Sequence, residues 1–305
     1  MTAATPPQIV PGDANKPLVS VGIPTFSRPD GLRCTLDCLA AQTYGKLEII
    51  VSDNASPGTE TERVVRDFMN RDSRVKYLRQ PENRGPRFNF QFVLDKSSGR
   101  YFMWAADDDR WHSRFVEILV GHLLRGDDSV VAVACEAQYT VGDEALPLFR
   151  EGIRYCDTKY GSAFDRVRHV IRNGYGNLWY SIYKKHALFR NGRPVFDRIK
   201  STSLNEIPFF IQVAEFGNWL VVPDVLFYKE TSRQTYLRAR WEAEGGHFSE
   251  RSWRRPFSVA VSAIYYWKAI WAICTSISQL SAVSRRERKR LYVLAVRVLA
   301  KLFFQ

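Results

Sequence analysis

Between residues 18 and 135, short apolar runs alternate with amphipathic stretches, and this rhythm constrains the fold more than any other feature of the chain. The runs at 18–23 (LVSVGI), 47–53 (LEIIVSD), 74–79 (RVKYLR), 101–106 (YFMWAA) and 129–135 (SVVAVAC) have the length and residue types of strands. Between them, residues 30–42, 59–70, 86–96 and 113–125 read as helices, and Pro86 suits a first helical turn. Strand and helix in alternation with short connections predict an α/β fold, a mainly parallel, doubly wound sheet with helices on both faces.

Beyond residue 135 the rhythm changes. Residues 136–150 read as an irregular hairpin around Gly142-Asp143. Residues 177–189 read as a strand running into a short helix, 201–217 as a helix after its start, and 218–230 as two short strands. The first 16 residues, rich in Pro and small side chains, read as a flexible tail without the apolar core of a secretory signal. The expected organisation is a tail over 1–16, an α/β domain over 17–235 with halves at 17–110 and 111–235, and a helical extension over 236–305.

That extension holds two apolar segments around the basic cluster RRERKR, residues 285–290. Residues 257–280 are long enough to span a bilayer but carry Lys268 at their middle. Residues 291–304 place Arg297 and Lys301 four apart among Leu, Val and Phe, the pattern of a basic amphipathic helix in an interface. Attachment to an anionic membrane surface is the expectation. Packing on the domain, or an oligomer contact through these helices, is the alternative.

The formal charge of +12 favours an anionic partner, but no nucleic-acid recognition motif accompanies it. No G-x-G-x-x-G or G-x-x-x-x-G-K-[ST] loop follows a strand, which argues against a dinucleotide dehydrogenase or a P-loop NTPase. The cysteines, Cys34, Cys38, Cys135, Cys156 and Cys274, are odd in number and scattered, and read as buried free thiols of a reducing compartment.

In an open parallel sheet, ligands bind beyond the carboxyl ends of the strands. Three polar clusters fall there: PTFSR (24–28), SDNAS (52–56) and the triplet Asp107-Asp108-Asp109. One carboxylate after a strand is explained by helix capping; three in a row are not. Clustered carboxylates suit a hard cation, Mn2+ or Mg2+, whose remaining positions are filled by phosphate oxygens and water.

The segments VSVGIPTFSRP, LAAQTYGKLEIIVSDNAS, ENRGPRFNFQFVL and GRYFMWAADDDRW, in that order, resemble the family 2 inverting glycosyltransferases of the GT-A fold, of the bacterial surface-polysaccharide type. The resemblance covers roughly residues 18–230. It implies transfer of a sugar from a nucleotide-diphosphate donor, with a D-x-D-type motif holding the metal. It implies that Asp53 reads the base, that Pro24, Thr25 and Phe26 line the same pocket with Arg28 beside them, and that Asp107 lies near the ribose. Asp108 is then the first metal ligand, and Asp109 assists it or faces the acceptor. Arg84 approaches the diphosphate, unless Asn83-Arg84-Gly85 is a plain turn; Asp53-Asn54 has the same alternative.

An inverting transferase needs one base for the acceptor hydroxyl. The position matching the family's base is Glu206, although Ser203-x-x-Glu206 also fits a helix capping box. The His that many relatives carry after the last sheet strand is missing from FYKETSRQTYLR. His247 is a distant substitute, and Arg233 and Arg238 are alternative partners for the diphosphate. Trp179 and Tyr180 line an acceptor groove or belong to the core. The implied acceptor is a glycan or lipid-linked glycan, and the implied location is the cytoplasm, at the inner face of the cell membrane. Two other functions compete: a sugar-phosphate nucleotidyltransferase, whose Gly-rich basic loop GIPTFSRPDG matches poorly, and a non-catalytic sugar-nucleotide-binding membrane adaptor.

Overall fold

The computed structural model describes residues 15–147, 158–173, 176–199, 206–233 and 256–304. Its centre is a nine-stranded sheet in the order β3-β2-β1-β4-β8-β6-β11-β5, with β7 beside β6. The strands are β1 (Val19–Thr25), β2 (Leu47–Asp53), β3 (Val75–Arg79), β4 (Tyr101–Trp104), β5 (Arg110–Trp111), β6 (Val130–Val141), β7 (Glu144–Ala145), β8 (Ile182–Lys184) and β11 (Asn218–Glu230). A separate small hairpin pairs β9 (Phe189–Arg190) with β10 (Arg193–Pro194). The helices are α1 (Pro29–Ala40), α2 (Glu60–Met69), α3 (Pro86–Asp95), α4 (Phe115–Arg125), α5 (Ala163–Asn173), α6 (Glu206–Ala214), α7 (Pro256–Ser278) and α8 (Arg285–Phe304).

The mainly parallel α/β sheet expected from the alternation is present: β3, β2, β1 and β4 are parallel neighbours, and so are β6 and β11. Side chains alternate between two cores, as the period of two requires. Val19, Val21, Ile23, Ile49, Val51, Tyr101 and Met103 face α1, α2 and α4. Ile50, Phe102 and Trp104 face the other way, into a core shared with α3, α5 and α6. Trp104 stands in the middle of that second core, edge-on to Phe102, Tyr183, Phe196 and Phe209.

At the amino ends of the strands, a buried carboxylate ties three of them together. Glu48 accepts hydrogen bonds from the Ser20 hydroxyl (2.5 Å), the Ser98 hydroxyl (2.7 Å) and Lys76 (2.9 Å). Burial would raise its pKa, but these donors outweigh burial and bring it down to about 2.

Three expectations are corrected. The stretch 218–230 is one strand, not two, because Pro223-Asp224 is absorbed as a bulge between Val222 and Val225. The hairpin at Gly142-Asp143 forms, but its first arm is the continuation of β6, which runs six residues past the expected end at Cys135. The described thiols are not uniformly buried: Cys34 is exposed, Cys38 and Cys274 are half-buried and only Cys135 is buried. Cys156 lies outside the described residues, as do Arg238, His247 and most of the expected tail.

The C-terminal helices pack on the domain. Ile273, Ile277, Leu280, Leu291, Ala295 and Leu299 bury themselves in the same core as Val167, Val170 and Ile211. No helix among the described residues is long and apolar enough to cross a membrane. Trp267 (65% exposed) and Trp271 (52% exposed), one turn apart on α7, face outward.

Candidate active site

The parallel register brings the carboxyl ends of β1 and β2 level, with Thr25 beside Asp53. The ends of β1 and β4 stay joined by the Ala105 N–H, which donates to the Gly22 carbonyl at 2.9 Å. The turns after β1 and β2 hold strained residues, Ser27 (φ 55°) and Ala55 (φ 61°). They brace one another: the Ser27 N–H donates to the Ser56 hydroxyl at 2.8 Å, and the Asn54 N–H to the Thr25 carbonyl at 3.0 Å.

Beyond these strand ends lies a cleft of about 510 Å³. Pro24, Thr25, Phe26, Arg28, Asp107, Asp108 and Asp109 all line it, so most of the sequence-predicted residues meet. Asn54 and Asn83, from the SDNAS cluster and the Asn83-Arg84-Gly85 turn, also line it, as do Asn89, Phe90, Lys229 and Glu230, which the sequence pattern does not single out. Asn89 is buried on α3 and bonds back to the Ser52 carbonyl at 2.9 Å, which fixes the floor.

Asp53, Arg84 and Glu206 are not among the residues that line this wall. Asp53 is fully buried below it and accepts from the Ser56 N–H (2.8 Å) and the Tyr77 hydroxyl (2.7 Å), with Arg79 at 3.6 Å. The neighbouring side chain, Asn54, faces the cleft instead and donates to the Asn83 amide oxygen at 2.8 Å. The Arg84 guanidinium stacks on the Phe88 ring, 3.7 Å from its centre.

Helix α1 shapes the loop that carries the triplet. Thr35 donates to the carbonyls of Ala106 (2.9 Å) and Asp109 (3.1 Å). Gly31 packs so closely that an added Cβ would lie 2.3 Å from the Asp107 carbonyl oxygen. The three carboxylates are therefore presented differently. Asp107 is buried and accepts from the Thr25 hydroxyl at 2.7 Å. Asp108 is the accessible one and pairs with Arg28, whose guanidinium also stands 3.6 Å from Asp107. Asp109 is buried and accepts from the Glu230 N–H at 2.9 Å.

Burial, with Asp108 alongside, raises the Asp107 carboxyl above its ordinary range despite Thr25 and Arg28. Burial pushes Asp109 up to about 6, against the pull of Lys229. Arg28 is held more firmly protonated by Asp108 and Asp107.

Glu206 is the first residue of α6. Crowding by surrounding protein raises its carboxyl although the side chain keeps solvent contact, and Lys229 opposes the rise. Its charge is felt at the cleft: burial, then Asp109, Asp108, Glu206 and Asp107 together, drive the Tyr180 hydroxyl firmly to its neutral form. Tyr180 lines the cleft, with the Lys229 ammonium 4.9 Å from its ring centre. Trp179 belongs to the core, against Trp104 and Phe209. Arg233 pairs with Glu144 at 2.5 Å.

Among the described residues no three His, Cys, Asp or Glu side chains converge as a ready-made metal cage. A hard divalent cation needs only one or two protein carboxylates when phosphate oxygens and water supply the rest. The accessible Asp108, between two buried carboxyls, suits that incomplete kind of donor set.

Comparison with known proteins gives the class. The profile described as Glycosyl transferase family 2 matches residues 20–203, more than half of the chain, and the chain belongs to that family. Among curated relatives, the GalNAc(5)-diNAcBac-PP-undecaprenol beta-1,3-glucosyltransferase of Campylobacter jejuni is 38% identical over 94 residues, which are 30% of this chain and 30% of that protein. Glycosyltransferase GlyA of Streptococcus pneumoniae is 31% identical over 153 residues, 49% of this chain and 20% of the relative. The chain thus matches well under two thirds of the length of either. The solved structure of S. aureus TarS 1-349 in complex with UDP-GlcNAc superposes with a TM-score of 0.64 at 14% identity, over 93% of this chain and 73% of that one. The mannosyltransferase PcManGT of Pyrobaculum calidifontis, in complex with GDP-Man and Mn2+, gives 0.51 at 18% identity, over 96% and 87%. At these identities the likeness is one of fold, and the fold is GT-A-like.

Proposed function

We propose that the protein is a metal-assisted, inverting glycosyltransferase. It moves a sugar from a nucleotide-diphosphate donor to a hydroxyl of a glycan acceptor, carried on a lipid or a growing polysaccharide, at the inner face of the cell membrane. The observation that carries this reading is the division of labour in the triplet: Asp107 bonded to Thr25, Asp108 open to the cleft, Asp109 anchored to β11.

In this reading the nucleoside lies against Phe26 and Asn54, and Asp107 meets the ribose. Asp53 acts from beneath, holding the turn after β2 through Ser56. Asp108, with Asp109 behind it, would hold Mn2+ or Mg2+, which when bound neutralises charge on the leaving diphosphate. Arg28 stands where it can pair with a diphosphate oxygen once Asp108 is engaged elsewhere. Arg84 is further out and would reach the donor only by leaving Phe88.

The acceptor oxygen attacks the anomeric carbon as the bond to the diphosphate oxygen breaks. The proton of the acceptor hydroxyl passes to the Glu206 carboxylate. The raised pKa of Glu206 makes it a stronger base than an ordinary carboxylate at neutral pH. A lipid-carried acceptor is supported by the Campylobacter relative, whose name specifies a diphosphate-linked undecaprenol glycan.

The test is a thermal-shift screen of nucleotide-sugars with Mn2+, followed by product analysis. Asp108→Ala should lose the Mn2+-dependent shift. Glu206→Gln should keep donor binding and lose transfer. Unchanged binding in the first variant, near wild-type turnover in the second, or consumption of a nucleoside triphosphate would each overturn the reading.

A further inference from the structure

A second concavity, of about 430 Å³, lies between α5 and α8 and shares no lining residue with the donor cleft. Arg168, Arg172, Lys289, Arg290 and Arg297 line it over an aromatic floor at Phe164, and no carboxylate is among its described lining residues. The sequence builds this wall by simple spacing. Phe164, Arg168 and Arg172 follow one another four apart on α5, and Lys289, Val293 and Arg297 do the same on α8, so each set forms one stripe.

The cations are only partly neutralised by the protein. Arg168 pairs with Asp165 at 3.0 Å, and Arg290 stacks over Phe164 at 4.8 Å from the ring centre. Arg172, Lys289 and Arg297 have no ion-pair partner among the described residues. Like charges gathered in a groove repel unless an anion joins them.

The surroundings of the groove narrow the choice of anion. This groove is open, and apolar side chains stand out beside its cations: Val293 (51% exposed) and Val296 (41%) share the outer face of α8 with Arg286, Lys289 and Arg297. Such a mixture matches a phosphate backed by hydrocarbon. We propose that the α5–α8 groove is a headgroup site for anionic phospholipid, which seats this face of the enzyme on a membrane surface. The proposal rests on the membrane-surface part of the function proposed above. It adds to it a built site with contributions from two helices, one of them inside the catalytic domain.

The experiment is co-sedimentation of the full chain with phosphatidylcholine vesicles, with and without phosphatidylglycerol. Wild type should pellet with the anionic vesicles and not with the neutral ones, and added salt should weaken the binding. The triple variant R172Q/K289Q/R297Q should bind roughly tenfold or more weakly, given the contribution of each basic residue near an anionic surface. The variant R172K/R297K, which keeps every charge, should bind like wild type and shows that substitution alone is tolerated. If the triple variant pellets as wild type does, the groove is overturned while the membrane reading stands. If wild type binds neither vesicle, the two fall together; if it binds both equally, the headgroup site is overturned while the membrane reading stands. Loss of binding in the charge-preserving variant would also overturn the proposal.

Discussion

The backbone N–H of Glu230 donates a 2.9 Å hydrogen bond to the Asp109 carboxylate, across 121 positions of sequence. This bond joins the last strand of the sheet to the loop that carries the acidic triplet. It also places a carboxyl with a pKa of about 6 in a buried setting.

Asp109 should therefore cost stability when it ionises. Its folded pKa is raised, so the native state binds more protons than the unfolded chain between about pH 4 and pH 6, and stability falls as pH rises through that window. Asp109→Asn keeps an acceptor for Glu230 and removes the charge. It should melt higher than wild type at pH 8 and lose that advantage at pH 4. Asp109→Ala leaves the Glu230 N–H without its partner and should fall below the Asn variant by about 1–3 kcal/mol. Equal melting curves for Asn and Ala would contradict the role assigned to this bond.

Lys229 opposes the upward shifts of both Asp109 and Glu206. Its removal should make Glu206 harder to deprotonate. In Lys229→Met the acidic limb of the kcat/KM profile should move to higher pH. A pH–rate profile that drops in height without moving would mean that Lys229 acts on binding alone.

Glu48 behaves in the opposite sense to Asp109. Its folded pKa of about 2 lies below that of the unfolded chain, so its contribution is fully present above about pH 4.5 and disappears as pH falls towards 2. Glu48→Gln should cost about 3 kcal/mol at neutral pH, and the difference from wild type should shrink on acidification. Chemical denaturation at pH 7 and pH 3 checks both statements.

The parallel half of the sheet was legible because each strand and helix carries its own period, and the ends of β1, β2 and β4 then had to gather the polar clusters. The strand running into a short helix within 177–189 was legible as β8 and the 3-10 turn after it, but its length was not, because three residues carry too little pattern and a first 3-10 turn precedes them. β11 looked like two strands because Pro223-Asp224 resembles a turn, and only pairing with β6 absorbs it. In the site, the triplet stood out by composition. Lys229 and Glu230 did not, since what brings them to the cleft is the pairing of β11 with β5, beside Asp109. Asp53 was visible as a strand-end carboxylate, but Tyr77, which takes up one of its oxygens, comes from a neighbouring strand that no local pattern connects to it.

The burial of α7 and α8 in the core of α5 and α6 has a consequence for how such an enzyme can be re-engineered or can diverge. The pair α7 and α8 is not a detachable module. Grafting it onto another catalytic domain would carry Ile277, Leu291 and Leu299 away from Val167, Val170 and Ile211, leaving an apolar scar on each fragment. Exchange of the C-terminal region between relatives should therefore fail wherever the cut separates α7 and α8 from α5 and α6, unless the facing core residues are exchanged with them.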